Sequence, residues 1–287
     1  MRALVFAHFD PHGQVDDHVL YALRCYRPYF DVISFISTAD LSYKDILAVK
    51  LLADTVVKRD NVGYDFLSWR IGFDGLPVSS FDEIVFANDS CYGPCYDIGQ
   101  IFETARSSPA DLWGVTVNRQ FRPHVQSFFM SFRKSLLSSG FASHFWSTVD
   151  AAIPDKMELI LRHEVGLSAA VEAAGFTVGG LIDVFEPEIK VRYRVIDDNL
   201  PFEDDPRWPN AKAYILTADA PNPVQLYWGE ALRLGCPFVK VEILRDNPLA
   251  INRKNVIAHL RNSRWFEVGL IERHLERVAP RSWSAVF

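Results

Sequence analysis

An alternation running through the first third of the chain constrains its fold more than any other feature. Strand-like apolar segments at 3–8, 31–37, 55–58 and 82–88 are separated by helix-like segments at 15–26, 43–53 and 65–73. Strands interleaved with helices build βαβ units, and βαβ units build a parallel sheet covered on both faces. Further strands at 112–117, 124–132 and 176–183, with a helix at 155–174, lack that regular alternation, so the sheet is expected to be mixed. Residues 184–221 are punctuated by Glu186-Pro187, Asp204-Asp205-Pro206, Trp208-Pro209 and Pro221, and read as a long loop of the kind that serves as a lid. A helix–strand–helix region at 223–279 closes the chain, and one domain is the expectation for 1–287.

Composition narrows the class. Hydrophobic residues make up 49% of the chain, enough for a large core, yet no stretch approaches the roughly 20 apolar residues of a membrane span. Met1-Arg2 leads straight into Ala3-Leu4-Val5-Phe6-Ala7, too short for a signal peptide, so a cytoplasmic location is expected. Cys25, Cys91, Cys95 and Cys236 are too scattered for a disulfide framework or a zinc site and read as ordinary thiols. A net charge of −6 argues against nucleic acid as a partner. From Arg245 onward, however, eight Arg/Lys face four Asp/Glu, a net +4. Such a tail is either a solvated helical face or a surface drawn to anionic lipid or pyrophosphate.

Ligands of open α/β sheets bind beyond the C-terminal strand ends, so polar residues just after strands are the first candidates. They are His8 and Asp10 after the first strand, Ser37 after the second, Asn61, Gly63 and Asp65 after the third, and Asn88 and Asp89 after the fourth. Glu83–Ser90 is an apolar strand that ends in a carboxylate, which could hold a divalent cation against a diphosphate. Asn-Asp-Ser is equally an Asx turn or a helix cap. In the helix at 155–174, Met157, Ile160, Leu161 and Glu164 share the i, i+3, i+4, i+7 stripe, putting a carboxylate where an apolar side chain belongs. Burial raises the proton affinity of such a group, as a general base requires, though a buried ion pair is the other reading. His124 and Gln126 alternate on one strand face and could bond sugar hydroxyls, and Trp113 could stack on a pyranose ring.

Taken in order, seven motifs resemble the rhamnan synthesis F family of glycosyltransferases. They are Phe6-Ala7-His8-Phe9-Asp10 with Asp16-Asp17; Asn61-Val62-Gly63-Tyr64-Asp65-Phe66 with Ser68-Trp69; Asn88-Asp89-Ser90-Cys91-Tyr92-Gly93-Pro94; and Trp113-Gly114-Val115-Thr116. Pro123-His124-Val125-Gln126-Ser127-Phe128-Phe129, Glu164-Val165-Gly166-Leu167 and Leu244-Arg245-Asp246-Asn247-Pro248 complete the set. The resemblance implies a GT-A-like, Rossmann-type mixed sheet flanked by helices, with a nucleotide-binding half at 1–118, an acceptor half at 119–287 and a C-terminal helix–strand–helix extension. In such enzymes an Asp-x-Asp motif holds Mg²⁺ or Mn²⁺; here only Asp89 can be the anionic ligand. Glu164 matches the position of the general base.

The implied reaction is inverting transfer of rhamnose from dTDP-β-L-rhamnose to a growing, lipid-linked saccharide at the inner leaflet. Arg70 and Arg245 are candidate donors to the diphosphate. Two rivals remain open. His8, Asp10 and Asp16 with Asp17 and His18 resemble the hard-ligand cluster of a metal-dependent phosphoesterase, and a lone acid at 88–90 suits a non-catalytic sugar-nucleotide-binding module.

Overall fold

The computed structural model describes residues 1–151, 155–184, 189–200, 206–217 and 222–281. In chain order the elements are β1 (Arg2–His8), α1 (Asp17–Tyr26), β2 (Val32–Ser37), α2 (Tyr43–Lys50), β3 (Thr55–Lys58), α3 (Tyr64–Asp74), β4 (Glu83–Asn88), β5 (Cys91–Tyr92) and α4 (Gly99–Ser107). There follow β6 (Leu112–Asn118), β7 (His124–Val125), β8 (Phe129–Arg133), α5 (Lys134–Ser138), α6 (Phe141–Ser147), α7 (Lys156–Leu159), a π-helical turn at Ile160–Val165, α8 (Gly166–Ala173) and β9 (Val178–Ile182). The last elements are α9 (Ile189–Asn199), α10 (Trp208–Thr217), α11 (Trp228–Arg233), β10 (Val239–Lys240), α12 (Val241–Arg245), α13 (Arg253–Arg261) and α14 (Gly269–Val278).

The principal sheet has the order β3-β2-β1-β4-β8-β6-β7, with β9 beside β6. β1 lies parallel to both β2 and β4, and β2 to β3. β8 is antiparallel to β4 and to β6, so the sheet is mixed as the sequence predicts. It is an α/β sheet flanked by helices. Every residue of β1 after Arg2 is buried, because both faces of this central strand are covered.

The alternation of side chains along β1 sorts the core into two layers. Ala3, Val5 and Ala7 join Phe66, Trp69, Phe73, Phe86, Phe132 and Trp146 on one side. α3 supplies Phe66, Trp69 and Phe73 at i, i+3 and i+7, its apolar face. Gly72 lets that helix come down onto the sheet, since a Cβ there would meet Val5 Cγ1 at 2.3 Å. On the other side Phe6 stacks on Phe35 and touches Tyr26, while Phe102 packs on Trp113 and Phe129.

Trp113 is therefore not a sugar platform. It is fully buried, and its indole Nε1 donates to Glu83 Oε1 at 2.7 Å. The strand alternation turned its ring toward helix α4 rather than toward solvent. Glu83 also accepts from Ser131 Oγ at 2.9 Å and Arg2 Nε at 2.5 Å, tying β1, β4, β6 and β8 together at one end of the sheet.

By internal packing the chain forms two compact units. The first comprises Met1–Asp89, Gly99–Val115 and Phe121–Leu181; the second comprises Ser90–Ile98, Thr116–Gln120 and Ile182–Phe287. In the second, β5 pairs antiparallel with β10. Glu230, nearly buried, is held by Arg194 at 2.9 Å and Arg233 at 3.0 Å, and Arg233 also reaches Asp198 at 2.7 Å. Tyr92 Oη bonds His274 Nδ1 at 2.6 Å. The cysteines are free; burial pushes the Cys236 thiol up to about 12 and Cys95 well up too, leaving both inert.

The stretch 184–221 departs from the expected long loop. It contains α9 and α10, whose apolar residues Val191, Val195 and Ile196, and Ala211 and Ile215, are buried. Pro209 lies in the first turn of α10, where its missing N–H is tolerated. Glu186-Pro187, Asp204-Asp205 and Pro221 lie outside the described residues. No helix among the described residues is long and apolar enough to cross a membrane.

The buried Glu83 is a test of the sheet. Glu83→Ala leaves the Trp113 N–H and the Ser131 hydroxyl enclosed without their acceptor, and is expected to cost about 3 kcal/mol of unfolding free energy. Denaturant titration of the two proteins checks it; a change under about 1 kcal/mol would show that water reaches those donors.

Candidate active site

β1, β2, β3 and β4 all end on the same edge of the sheet because they are parallel, and the polar residues that follow them converge there. His8, 3% exposed, bonds Ser37 Oγ through Nδ1 at 2.9 Å. Its Nε2 lies 3.9 Å from Asp89 Oδ2. The same Asp89 oxygen accepts the backbone N–H of Phe9 at 2.8 Å, so the end of β4 is pinned to the end of β1. Asn88 Nδ2 donates to Asp65 Oδ2 at 2.8 Å, joining β4 to the first turn of α3.

Asp89 retains 18% of its side-chain exposure, yet its carboxyl is pushed well above the usual carboxylate range. Loss of solvent is the main cause, the nearby Asp65 carboxylate the next and Asp10 a smaller one; the N–H bond from Phe9 opposes them. Like charges are thus gathered at the strand ends, with the Arg59 guanidinium acting on Asp65. Among the described residues no three His, Cys, Asp or Glu side chains group as a metal cage. A divalent ion here would rest on Asp89 alone, with phosphate oxygens and water completing its shell, which is how Mg²⁺ commonly binds beside nucleotides. The crowding of carboxylates around Asp89 fits such an ion. It does not fit a phosphoesterase centre. Asp10 spends Oδ1 on the backbone N–H groups of His12 at 2.9 Å and Gln14 at 3.1 Å, an Asx-type turn, and Asp16 stands at the N-cap position of α1.

Gly63 precedes α3 with φ +66, and a Cβ there would lie 2.8 Å from Leu67 Cβ. Its place in the motif follows from this left-handed turn. Asn61 is exposed in the same loop. Arg59, not singled out in the sequence, organises that loop: it donates to the carbonyls of Asp60, Val62 and Tyr64 and to Ser68 Oγ. Burial draws its pKa down while Asp65 and Asp60 work against that. Its signal was weak, a lone cation directly after the Thr55–Lys58 strand. Phe9 was likewise overlooked; its ring is 46% exposed at the end of β1.

Glu164 enters from the opposite half of this unit. Asn88 N–H donates to Phe128 O at 3.3 Å, so residues 126–128 run beside the end of β4. The neighbouring Ser127 gives both its N–H, at 3.1 Å, and its hydroxyl to Glu164 Oε2. Glu164 Oε1 lies 3.6 Å from His124 Nε2. The carboxylate is 18% exposed, so it is neither sealed in the core nor turned out to water. The helical stripe that pointed to it is different from the expected one. Met157 and Leu161 are 49% and 43% exposed, whereas Leu159, His163, Val165 and Leu167 are buried. The π turn at Ile160–Val165 inserts the extra residue that rotates Glu164 inward despite the outward stripe before it. His163, kept from protonating chiefly by burial, packs on Phe66 and Phe145.

Four expected positions are corrected. His124 and Gln126 are 2% and 4% exposed, since β7 covers only His124–Val125 and the chain turns inward after it; neither faces an open sugar site. Arg70 points away from the strand ends, donating to Val149 O at 2.5 Å and lying 3.5 Å from Asp74. Arg245 belongs to the second unit, where it pairs with Asp246 at 2.7 Å.

An α/β unit with acids, a histidine and a hydrogen-bonded loop collected at the C-terminal strand ends belongs to the class that binds ligands above that edge. Residues 33–197, more than half of the chain, match the family model for rhamnan synthesis protein F, and the chain belongs to that family. The virulence protein VirA of Vibrio anguillarum is 27% identical over 203 residues, 68% of this chain and 64% of VirA. The chain thus spans just under two thirds of that relative's length. An uncharacterized protein, y4gN, of Sinorhizobium fredii is 27% identical over 139 residues, 46% of this chain and 35% of the relative. Among solved structures, a protein described as a nucleotide-diphospho-sugar transferase of Desulfovibrio desulfuricans is 10% identical, with a TM-score of 0.41 over 76% of this chain and 97% of that one. Mouse xyloside xylosyltransferase 1 is 12% identical with a TM-score of 0.30, over 63% and 77%. At scores this low neither likeness carries weight for fold or reaction.

Asp89 provides a test with a definite sign. A carboxyl whose pKa rises on folding favours the folded state while protonated and weakens it once ionised, so its penalty grows as pH rises through the folded value. Asp89→Asn is therefore expected to melt at a higher temperature than the parent near pH 8, the gap closing as pH falls into the ordinary carboxylate range. Scanning calorimetry across that interval checks it; a gap that persists at low pH means that Asp89 is not strained by its charge.

Proposed function

We propose that the chain is an inverting glycosyltransferase that moves rhamnose from a nucleoside diphosphate, with dTDP the favoured carrier, to a saccharide acceptor in the synthesis of cell-surface polysaccharide. What carries this reading is Glu164, a half-covered carboxylate fixed by Ser127 beside the end of β4. Membership of the rhamnan synthesis protein F family supports the class of reaction.

The nucleotide would lie over the strand ends, where the exposed rings of Phe9 and Tyr64 offer apolar surface to a base and Asn61 and Asp65 offer bonds to ribose, while Ser37, fully buried, holds His8. Asp89 would hold Mg²⁺ or Mn²⁺, which when bound neutralises charge on the leaving diphosphate. Asn88 and His8 set the position of Asp65 and Asp89. Glu164 takes the proton from an acceptor hydroxyl as that oxygen attacks the anomeric carbon opposite the diphosphate, inverting the configuration. Most of the acceleration would come from holding the two substrates in line.

In the second unit Lys254, Arg261, Arg264 and Arg273 are exposed, as is Trp265 at 45%. Cations around an interfacial aromatic suit peripheral contact with an anionic inner leaflet, where a lipid-linked acceptor would be met in the cytoplasm.

Glu164→Gln keeps the side chain's shape and its bonds to Ser127 but cannot take a proton. Its kcat is expected to fall by about 10²- to 10⁴-fold, with donor affinity by calorimetry unchanged. Full turnover by this variant would remove Glu164 as the base; donor binding without transfer by the parent protein would favour a non-catalytic binding module.

A further inference from the structure

His124 and Glu164 face each other in a way that the roles so far assigned do not explain. The Nδ1 atom of His124 lies 2.8 Å from the carbonyl oxygen of Arg122. A carbonyl only accepts, so Nδ1 carries the proton and, in the neutral ring, Nε2 is a bare lone pair. That Nε2 is buried and has no hydrogen-bond partner. The charged atom beside it is Glu164 Oε1 at 3.6 Å. The other carboxylate oxygen, Oε2, already accepts two bonds from Ser127. The two oxygens of Glu164 are therefore unlike: Oε2 accepts two bonds from Ser127, and Oε1 lies at ion-pair distance, 3.6 Å, from the ring nitrogen.

We infer that His124 is the proton partner of Glu164, so that the base of the reaction is the Glu164–His124 pair and the abstracted proton is held between Oε1 and Nε2. The inference rests on the glycosyltransferase reading above and deepens it. The bookkeeping of the step is simple. The acceptor O–H bond breaks and its oxygen forms the new bond to the anomeric carbon. The bond from that carbon to the diphosphate breaks, and its electron pair leaves with the diphosphate. The proton passes to Glu164, is shared with His124 Nε2, and returns to solvent after product leaves. A buried ring nitrogen set against the carboxylate gives a proton taken up by Glu164 a second place to rest. His124 acts through Glu164 and is a positioning residue.

Among the described residues, the titratable side chains of the elements packed on β7 have other neighbours. β7 packs against the π turn and α8. On the π turn, Arg162 is turned to Glu158 and His163 to Phe66 and Phe145. On α8, Glu172 is paired with Arg122, and the neighbouring strand β6 carries no titratable side chain.

Two measurements test the pair. In His124→Gln the amide can still donate to Oε1 but cannot take a proton. We expect kcat to fall about tenfold or more, KM for the donor to stay within about twofold, and the acid limb of the kcat–pH profile to move to lower pH, because the carboxylate then binds its proton alone. An unmoved limb would overturn the proposal, since a merely structural role lowers activity without shifting it. The second measurement needs no turnover: ¹⁵N NMR of the His124 ring in the parent and in Glu164→Gln. We expect Nδ1 to stay protonated throughout and Nε2 to take its proton at lower pH once the carboxylate is gone. An unchanged Nε2 titration overturns the pairing. Should the parent protein transfer no sugar, the enzymatic reading fails while the ring titration still decides whether the two groups share a proton.

Discussion

Where β4 meets β8, an antiparallel pairing joins the two halves of the first unit, and the candidate site depends on it. Parallel strands alone would bring only His8, Ser37, Asp65 and Asp89 to a common edge. The bond from Asn88 N–H to Phe128 O carries the 126–128 segment to that edge, and Ser127 in turn holds Glu164. Asp89, at the end of β4, and Glu164, held by Ser127, thus lie on either side of one backbone hydrogen bond. Their separation in sequence, 89 against 164, says nothing of this.

The electrostatics follow the same division. Around Asp89, loss of solvent and then the nearby Asp65 and Asp10 carboxylates raise its proton affinity. Around Glu164 the opposite holds for one oxygen, which is supplied with donors by Ser127, while the second oxygen is left against His124. Glu83, which is buried, accepts from Arg2, Trp113 and Ser131 and serves the sheet instead.

How much was legible beforehand depended on the range of the interaction involved. Period-two and period-three-to-four patterns located β1 to β4 and α1 to α3 to within a few residues, since those patterns report which side of an element meets the core. Glu164 was found, but by a stripe containing Met157 and Leu161, both of which are exposed. A π turn changes the angular spacing within one helix, and nothing in Ile160–Val165 announces it. Trp113 and His124 were placed on open surfaces because a strand's alternation says that two faces differ without saying which is covered. The helix α10 was hidden by Pro209, which lies in its first turn.

The sequence by itself determined that this chain builds a helix-covered α/β sheet, that Asp89 ends its fourth strand and that its ordered motifs are those of the rhamnan synthesis F family. Those are properties of neighbours along the chain, set by local periodicity and composition. Only the tertiary structure decided that Trp113 is a core residue, that Arg70 turns away from the strand ends and that Glu164 meets His124 and Ser127. Each of these depends on which strand lies beside which and on the rotation of one helical turn, and such long-range geometry has no local code.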